Sequence, residues 1–230
     1  MIPLKDTIQS RSTPWVTWAI ILVNGIVFLF ELSLSPEQLE RLVALFGMTP
    51  ARLQVDPMAY STLLTCMFLH GGWMHFVGNM WMFYLFGDNV EDRMGPVQFL
   101  IFYLLCGLAA GLTHYATNAG STVPTVGASG AIAGVLGAYF VLFPQARVIT
   151  LVPILFIPLL FEIPAVIFLG IWFVGQLLNG TISLAGGPYV QNVAWWAHIG
   201  GFVAGLVLLP LFKKSQENYR RRYADEYWPY

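Results

Sequence analysis

Residues 148–178 read "VITLVPILFIPLLFEIPAVIFLGIWFVGQLL", an apolar run long enough to tempt a reading of two membrane crossings instead of one. A crossing helix needs about 20 mostly apolar residues. The choice matters because it decides whether the chain crosses an even or an odd number of times, and so on which side its last segment emerges. Pro153, Pro158 and Pro164 recur through the first half, and each removes a helical N–H donor. That half reads as an interfacial or re-entrant loop, and the second half as a single span.

Working outward from this run, the apolar stretches give six candidate spans, at about residues 14–32, 73–87, 97–116, 128–144, 162–179 and 192–212. The first runs from Pro14 to beyond Phe30, longer than the ~7–15 residues of a signal-peptide core, and reads as uncleaved. The 230 residues are 57% hydrophobic and 10% charged, whereas soluble domains carry about 25% charged residues. With a net charge of −1 the composition excludes nucleic acid as a partner. Cys66 and Cys106 sit in apolar surroundings without metal-ligand spacing, so they read as packing residues and no metal or other cofactor is expected.

Charge supplies an independent test of the even count, because short loops rich in Lys and Arg stay in the cytoplasm. With the N-terminus inside, Lys5, Arg11, Arg93, Arg147, Lys213, Lys214, Arg220, Arg221 and Arg222 are cytoplasmic, and only Arg41 and Arg52 fall outside. The expected organisation is thus an all-α polytopic bundle with both termini cytoplasmic. Residues 1–13 form a polar leading segment, 14–212 a six-helix membrane domain and 213–230 a basic tail. Within the long loop 33–72, Ser35 as N-cap, Pro36 at the first helical position and Gly47 at the end predict a short amphipathic helix. Its apolar face suits the membrane interface.

This topology carries Ser129, His70, His75, Asn79 and His198 to one depth, near the outer ends of spans four, two and six. Polar groups inside spans are costly and mark functional sites. One serine in a membrane helix is ordinarily a packing residue; a serine, histidines and an amide converging at one depth are better read as a site. Small residues bring the helices together: Gly130 and Gly134 on span four, Ala197, Gly201 and Gly205 on span six, each at i, i+4 spacing. Ser129 then lies beside His198, whose imidazole suits the removal of a hydroxyl proton. Attack on an amide creates a negative oxygen that needs preset donors, available from the helix start at Ser129 and from His75 and Asn79, which share one face of span two. His70 falls off that face and reads as structural. No acidic residue lies near the outer ends of these spans, so the pair forms a dyad.

The motifs "HGGWMHFVGN" (70–79), "VEDRMG" (90–95), "GASG" (127–130) and "AHIGGFVAG" (197–205) occur in order, and in this the chain resembles the rhomboid intramembrane serine proteases. The resemblance covers about residues 15–210. It implies Ser129 as nucleophile, His198 as general base and acid, and His75, Asn79 and the Ser129 backbone N–H as the oxyanion site. It also implies that His70 helps hold the outer loop, and that Glu91 and Arg93 tie down a cytoplasmic turn. Some family members place a Tyr under the catalytic imidazole where this chain has Ala133, which leaves the support of His198 unassigned. The implied substrates are transmembrane segments of other proteins, with lipids as the other partner, and the six-span form implies a prokaryotic cytoplasmic membrane. Movement of span five and of the loop 180–192 is expected to admit substrate.

Rival readings fare worse. A metalloprotease lacks HExxH, and a membrane aspartyl protease lacks a second intramembrane Asp. A transporter would show charge at mid-membrane, where only Glu162 comes close. A non-catalytic relative that escorts membrane proteins would be expected to have lost the serine or the histidine.

Overall fold

The computed structural model describes residues 1–154, 157–185 and 193–214. Strand β1 (Ile2–Asp6) leads into α1 (Trp15–Ser33), followed by α2 (Pro36–Phe46), α3 (Pro50–Leu53) and α4 (Thr62–Thr65). Then come α5 (Trp73–Met94), α6 (Pro96–Thr117), α7 (Ser129–Leu142), the hairpin β2 (Arg147–Ile154) and β3 (Ile157–Pro164), α8 (Ala165–Ala185) and α9 (Trp195–Phe212). Four helices, α1, α6, α8 up to Leu184, and α9, are long and apolar enough to cross a membrane, and the chain is a multi-pass membrane protein. Helix α5 is as long as α6, but Asp88, Glu91, Asp92 and Arg93 occupy its last two turns.

Helix α7 is the centre of the bundle. Every residue from Gly130 to Tyr139 is buried, between α5, α6 and α9. Its 14 residues rise only about 21 Å, against about 33 Å for the 22 residues of α6. It therefore starts inside the bundle: Gly130 abuts Ala110, two turns or about 10 Å short of the end of α6 at Thr117.

Glycines make this central placement possible. A Cβ on Gly201 or Gly205 would collide with the carbonyl oxygen of Gly130 or Gly134 respectively, and one on Gly134 would enter Cys106. The expected i, i+4 stripes thus face each other at backbone contact, the close approach that small residues permit. Ala133 is fully buried under Gly201, so no aromatic ring fits at that position.

Four expectations need correction. The chain is not all-helical, and where an irregular loop is expected residues 147–154 and 157–164 form two antiparallel strands, the first of which also pairs antiparallel with β1, in the order β1-β2-β3. The prolines are compatible with a sheet because of where they fall. Pro158 and Pro164 lie on the edge strand, and Pro153 lies past the end of the β1 pairing at Leu151. Neither position asks for a central-strand N–H. Residues 1–13 are likewise more than a polar leader, since Asp6 is buried and accepts from Tyr139 Oη at 2.6 Å and Asn89 Nδ2 at 2.9 Å. Span five also begins later than expected, at Ala165, and its helix runs on to Ala185.

The short helix predicted after Ser35 is present with a capping box: Gln38 N donates to Ser35 Oγ, and Ser35 N donates to Gln38 Oε1 at 2.9 Å. Residues 180–185 of the expected loop 180–192 belong to α8; residues 186–192, and most of the basic tail, lie outside the described residues.

Candidate active site

Ser129 opens α7, and the turn before it explains the local sequence. Gly127 has φ +126°, and a Cβ there would come within 2.6 Å of His75 Nε2, so both backbone conformation and space require glycine. The loop leading in is held at several points. Met48 and Thr125 exchange backbone hydrogen bonds, Ala51 N donates to Ser121 O, and Gly127 N donates to Cys66 O at 2.8 Å. The nucleophile candidate thus sits on a fixed support.

His198 stands on the first turn of α9, across the glycine contact. Its Nε2 lies 2.8 Å from Ser129 Oγ. Its Nδ1 lies 2.7 Å from Gln176 Oε1 on α8. Trp172 and Trp195 flank the ring at centroid distances of 6.0 and 6.2 Å. The support of His198 that the sequence leaves unassigned is Gln176.

His75 and Asn79 face the same place from α5. Gly71 N donates to His75 Nδ1 at 3.3 Å, which leaves Nε2 as the protonated nitrogen, beside Gly127. Asn79 Nδ2 is buried, has no hydrogen-bond partner among the described residues, and lies 3.6 Å from where a Gly127 Cβ would be. Ser129, His198, His75 and Asn79 line one cavity of about 690 Å³, walled by α5, α6, α7, the start of α9 and the loop 121–127.

His70 is adjacent but differently engaged. Its backbone N–H donates to the Glu31 carboxylate at 3.1 Å, and its ring packs edge-on to His75 and Phe76. Burial, reinforced by His75, holds its pKa down at about 4, so the ring is neutral. Glu91 sits at the opposite end of the bundle, where its carboxylate accepts from Val16 N, Thr17 N and Thr17 Oγ1 at 2.8–3.0 Å. That is an anion at the N-terminus of α1, which the helix dipole favours. Arg93 lies over the Phe143 ring at 5.7 Å. A fourth histidine, His114 on α6, also lines the cavity and meets Thr125 Oγ1 at 3.1 Å. Sequence reasoning passed over both His114 and Gln176, although each lies toward the same end of its span. Among the described residues no group of His, Cys, Asp and Glu is placed to hold a metal ion.

Comparison with known proteins points one way. A family model described as Rhomboid domain matches residues 57–215. Rhomboid-like protein 11, chloroplastic, of Arabidopsis thaliana is 29% identical over 200 residues, covering 83% of this chain and 66% of that protein. RHOMBOID-like protein 5 of the same plant is 36% identical over 76 residues, 33% of this chain and 25% of its own length. The presenilin-associated rhomboid-like protein, mitochondrial, of Homo sapiens is 28% identical over 193 residues, 81% of this chain and 45% of its own. The chain thus spans from a quarter to two thirds of these relatives. Their names place two of them in organelles, so they lend no support to a prokaryotic membrane.

Proposed function

The chain belongs to the rhomboid family, and on that premise we propose that it is an intramembrane serine endopeptidase that uses a Ser129–His198 dyad to cut transmembrane segments of other proteins. The observation that carries the reading is the 2.8 Å contact between Ser129 Oγ and His198 Nε2, made at the wall of a cavity that His75 and Asn79 also line.

In the proposed reaction His198 Nε2 takes the hydroxyl proton as Ser129 Oγ bonds to the substrate's carbonyl carbon. The carbonyl oxygen becomes an anion, held by His75 Nε2–H, Asn79 Nδ2–H and the backbone N–H of Ser129, which is unpaired at the start of a helix. Donors fixed beforehand need no rearrangement when charge appears, and one such donor is worth roughly 10²–10³ in rate. The imidazolium then passes its proton to the leaving nitrogen, the C–N bond breaks, and an acyl-serine remains. Water adds to the acyl carbon while His198 takes its proton, and Ser129 leaves with that proton restored. A substrate helix must unwind locally to expose the carbonyl, so helix-weakening residues near the cut favour cleavage.

The same proposal takes the six-span arrangement of α1, α5, α6, α7, α8 and α9, with both termini cytoplasmic and the cavity opening to the other side. It is supported by the charge distribution, nine of the eleven basic residues then being cytoplasmic. The test is labelling of the purified chain with a fluorophosphonate probe. Wild type is expected to label, Ser129→Ala to lose all label and His198→Ala nearly all. Undiminished labelling of Ser129→Ala would remove the nucleophile.

A further inference from the structure

The far side of His198 is occupied, and by a group whose orientation is set. Gln176 is buried at 7% exposure on a helix face otherwise made of apolar and small residues. Burying a primary amide is costly unless both of its ends are bonded. Here both are: Nε2 donates to the Trp172 carbonyl oxygen one turn earlier at 3.2 Å, and Oε1 meets His198 Nδ1 at 2.7 Å. Turning the amide over would set its oxygen against the Trp172 oxygen, two acceptors facing each other. The arrangement therefore has one consistent reading, with Oε1 toward the imidazole. An amide oxygen only accepts, so Nδ1 carries the proton and Nε2 presents its lone pair to Ser129 Oγ.

We propose that Gln176 is a positioning residue for the hydrolysis described above, holding His198 from α8 in the one tautomer able to take the serine proton. The inference rests on the Ser129–His198 reading. It fills the place that an acidic residue occupies in a Ser-His-Asp arrangement, with a difference in kind. A carboxylate orients the base and also stabilises the imidazolium. A neutral amide orients it without setting a charge in a buried site, where an unneutralised anion is expensive. Ser129 and His198 come from α7 and α9, whereas Gln176 comes from α8, so the base is held in register only while α8 lies against α9.

The experiment compares wild type, Gln176→Ala and Gln176→Glu by fluorophosphonate labelling rate across pH. It adds nitrogen NMR of histidine-labelled protein, with the His198 signals identified by their loss in His198→Ala. Gln176→Ala is expected to label about tenfold more slowly, the worth of one neutral hydrogen bond, and its His198 signals to show mixed tautomers. Gln176→Glu keeps an acceptor in place and is expected to recover the rate, with the acidic limb of its pH profile displaced upward because a carboxylate favours the imidazolium. Wild-type rate and tautomer in Gln176→Ala overturn the proposal. A slower rate with an unchanged tautomer also overturns it, since Gln176 then matters for packing alone. Should Ser129→Ala label as well as wild type, the hydrolase reading fails by itself, and the tautomer measurement still decides what Gln176 does to His198.

Discussion

Replacing Asn79 with alanine separates stability from activity, because its amide N–H bonds to no described residue at rest and, in the proposed mechanism, serves only during reaction. Its Nδ2 makes no hydrogen bond to any described residue, so truncation breaks no such bond and gives up only the packing of a few atoms at a cavity wall. At roughly 2–4 °C per kcal/mol for a chain of this size, the melting temperature should stay within about 4 °C of wild type. The proposed oxyanion site loses one of its donors, and labelling by the fluorophosphonate, whose phosphoryl oxygen takes the same position, should fall by about 10²-fold or more. Both quantities are read on the same purified sample, melting by intrinsic fluorescence and labelling by gel. A fall in melting temperature beyond about 4 °C would mean that Asn79 holds the fold together. A labelling rate within about threefold of wild type would mean that the amide does not serve the oxyanion at the level a preset donor supplies.

Gly201→Ala places a methyl group against the Gly130 carbonyl oxygen, so α9 must draw away from α7. Overpacking of this kind costs about 1–3 kcal/mol and moves His198 from Ser129, so both melting temperature and labelling should fall. Gly170→Ala on α8, where the new methyl meets nothing within 4 Å, should leave both close to wild type; equal behaviour of the two variants would refute the backbone contact. Asp6 gives a pH dependence of definite sign. Burial lifts its pKa from 3.8 to about 6, against the lowering effect of the Tyr139 hydroxyl. Between those values the unfolded chain has lost a proton that the folded chain keeps, so stability falls as pH rises through this window and levels off above it. Melting curves across the window should show the decline in wild type and lose it in Asp6→Asn.

The parts of this protein that the sequence made legible are those where one physical requirement admits few solutions. A backbone that must touch another backbone demands glycine at i, i+4, and Gly130, Gly134, Gly201 and Gly205 meet as that demand requires. A helix start without side-chain clutter needs a capping residue, and Ser35 supplies one. The hairpin was misread because an apolar run between prolines does not itself distinguish strand from loop. The deciding partner of β2 was β1, which lies far away in sequence and looked like a polar leader. What marked it was Asp6, an acid whose burial depends on Asn89 and Tyr139 from two other helices, a relation no local pattern displays.

Gln176 and His114 were missed for a different reason, since nothing hid them. Depth alone gathers Ser129, His70, His75, Asn79 and His198 from the spans that run inward in the proposed topology. In that topology spans one, three and five run outward and bring their later residues to the same level, so the same reasoning selects Glu31, His114 and Gln176 from the sequence without any structure. Applied to every span, it also predicts which polar residue is not part of the site. Glu162, at the early end of span five, should lie far from the serine, and it sits on β3 opposite Ile149, with its carboxylate 3.7 Å from the Arg147 guanidinium. In the proposed topology, depth along each span, counted with the direction of travel, therefore separates Ser129, His198, His114 and Gln176 at one end of the bundle from Glu91 and Glu162 at the other.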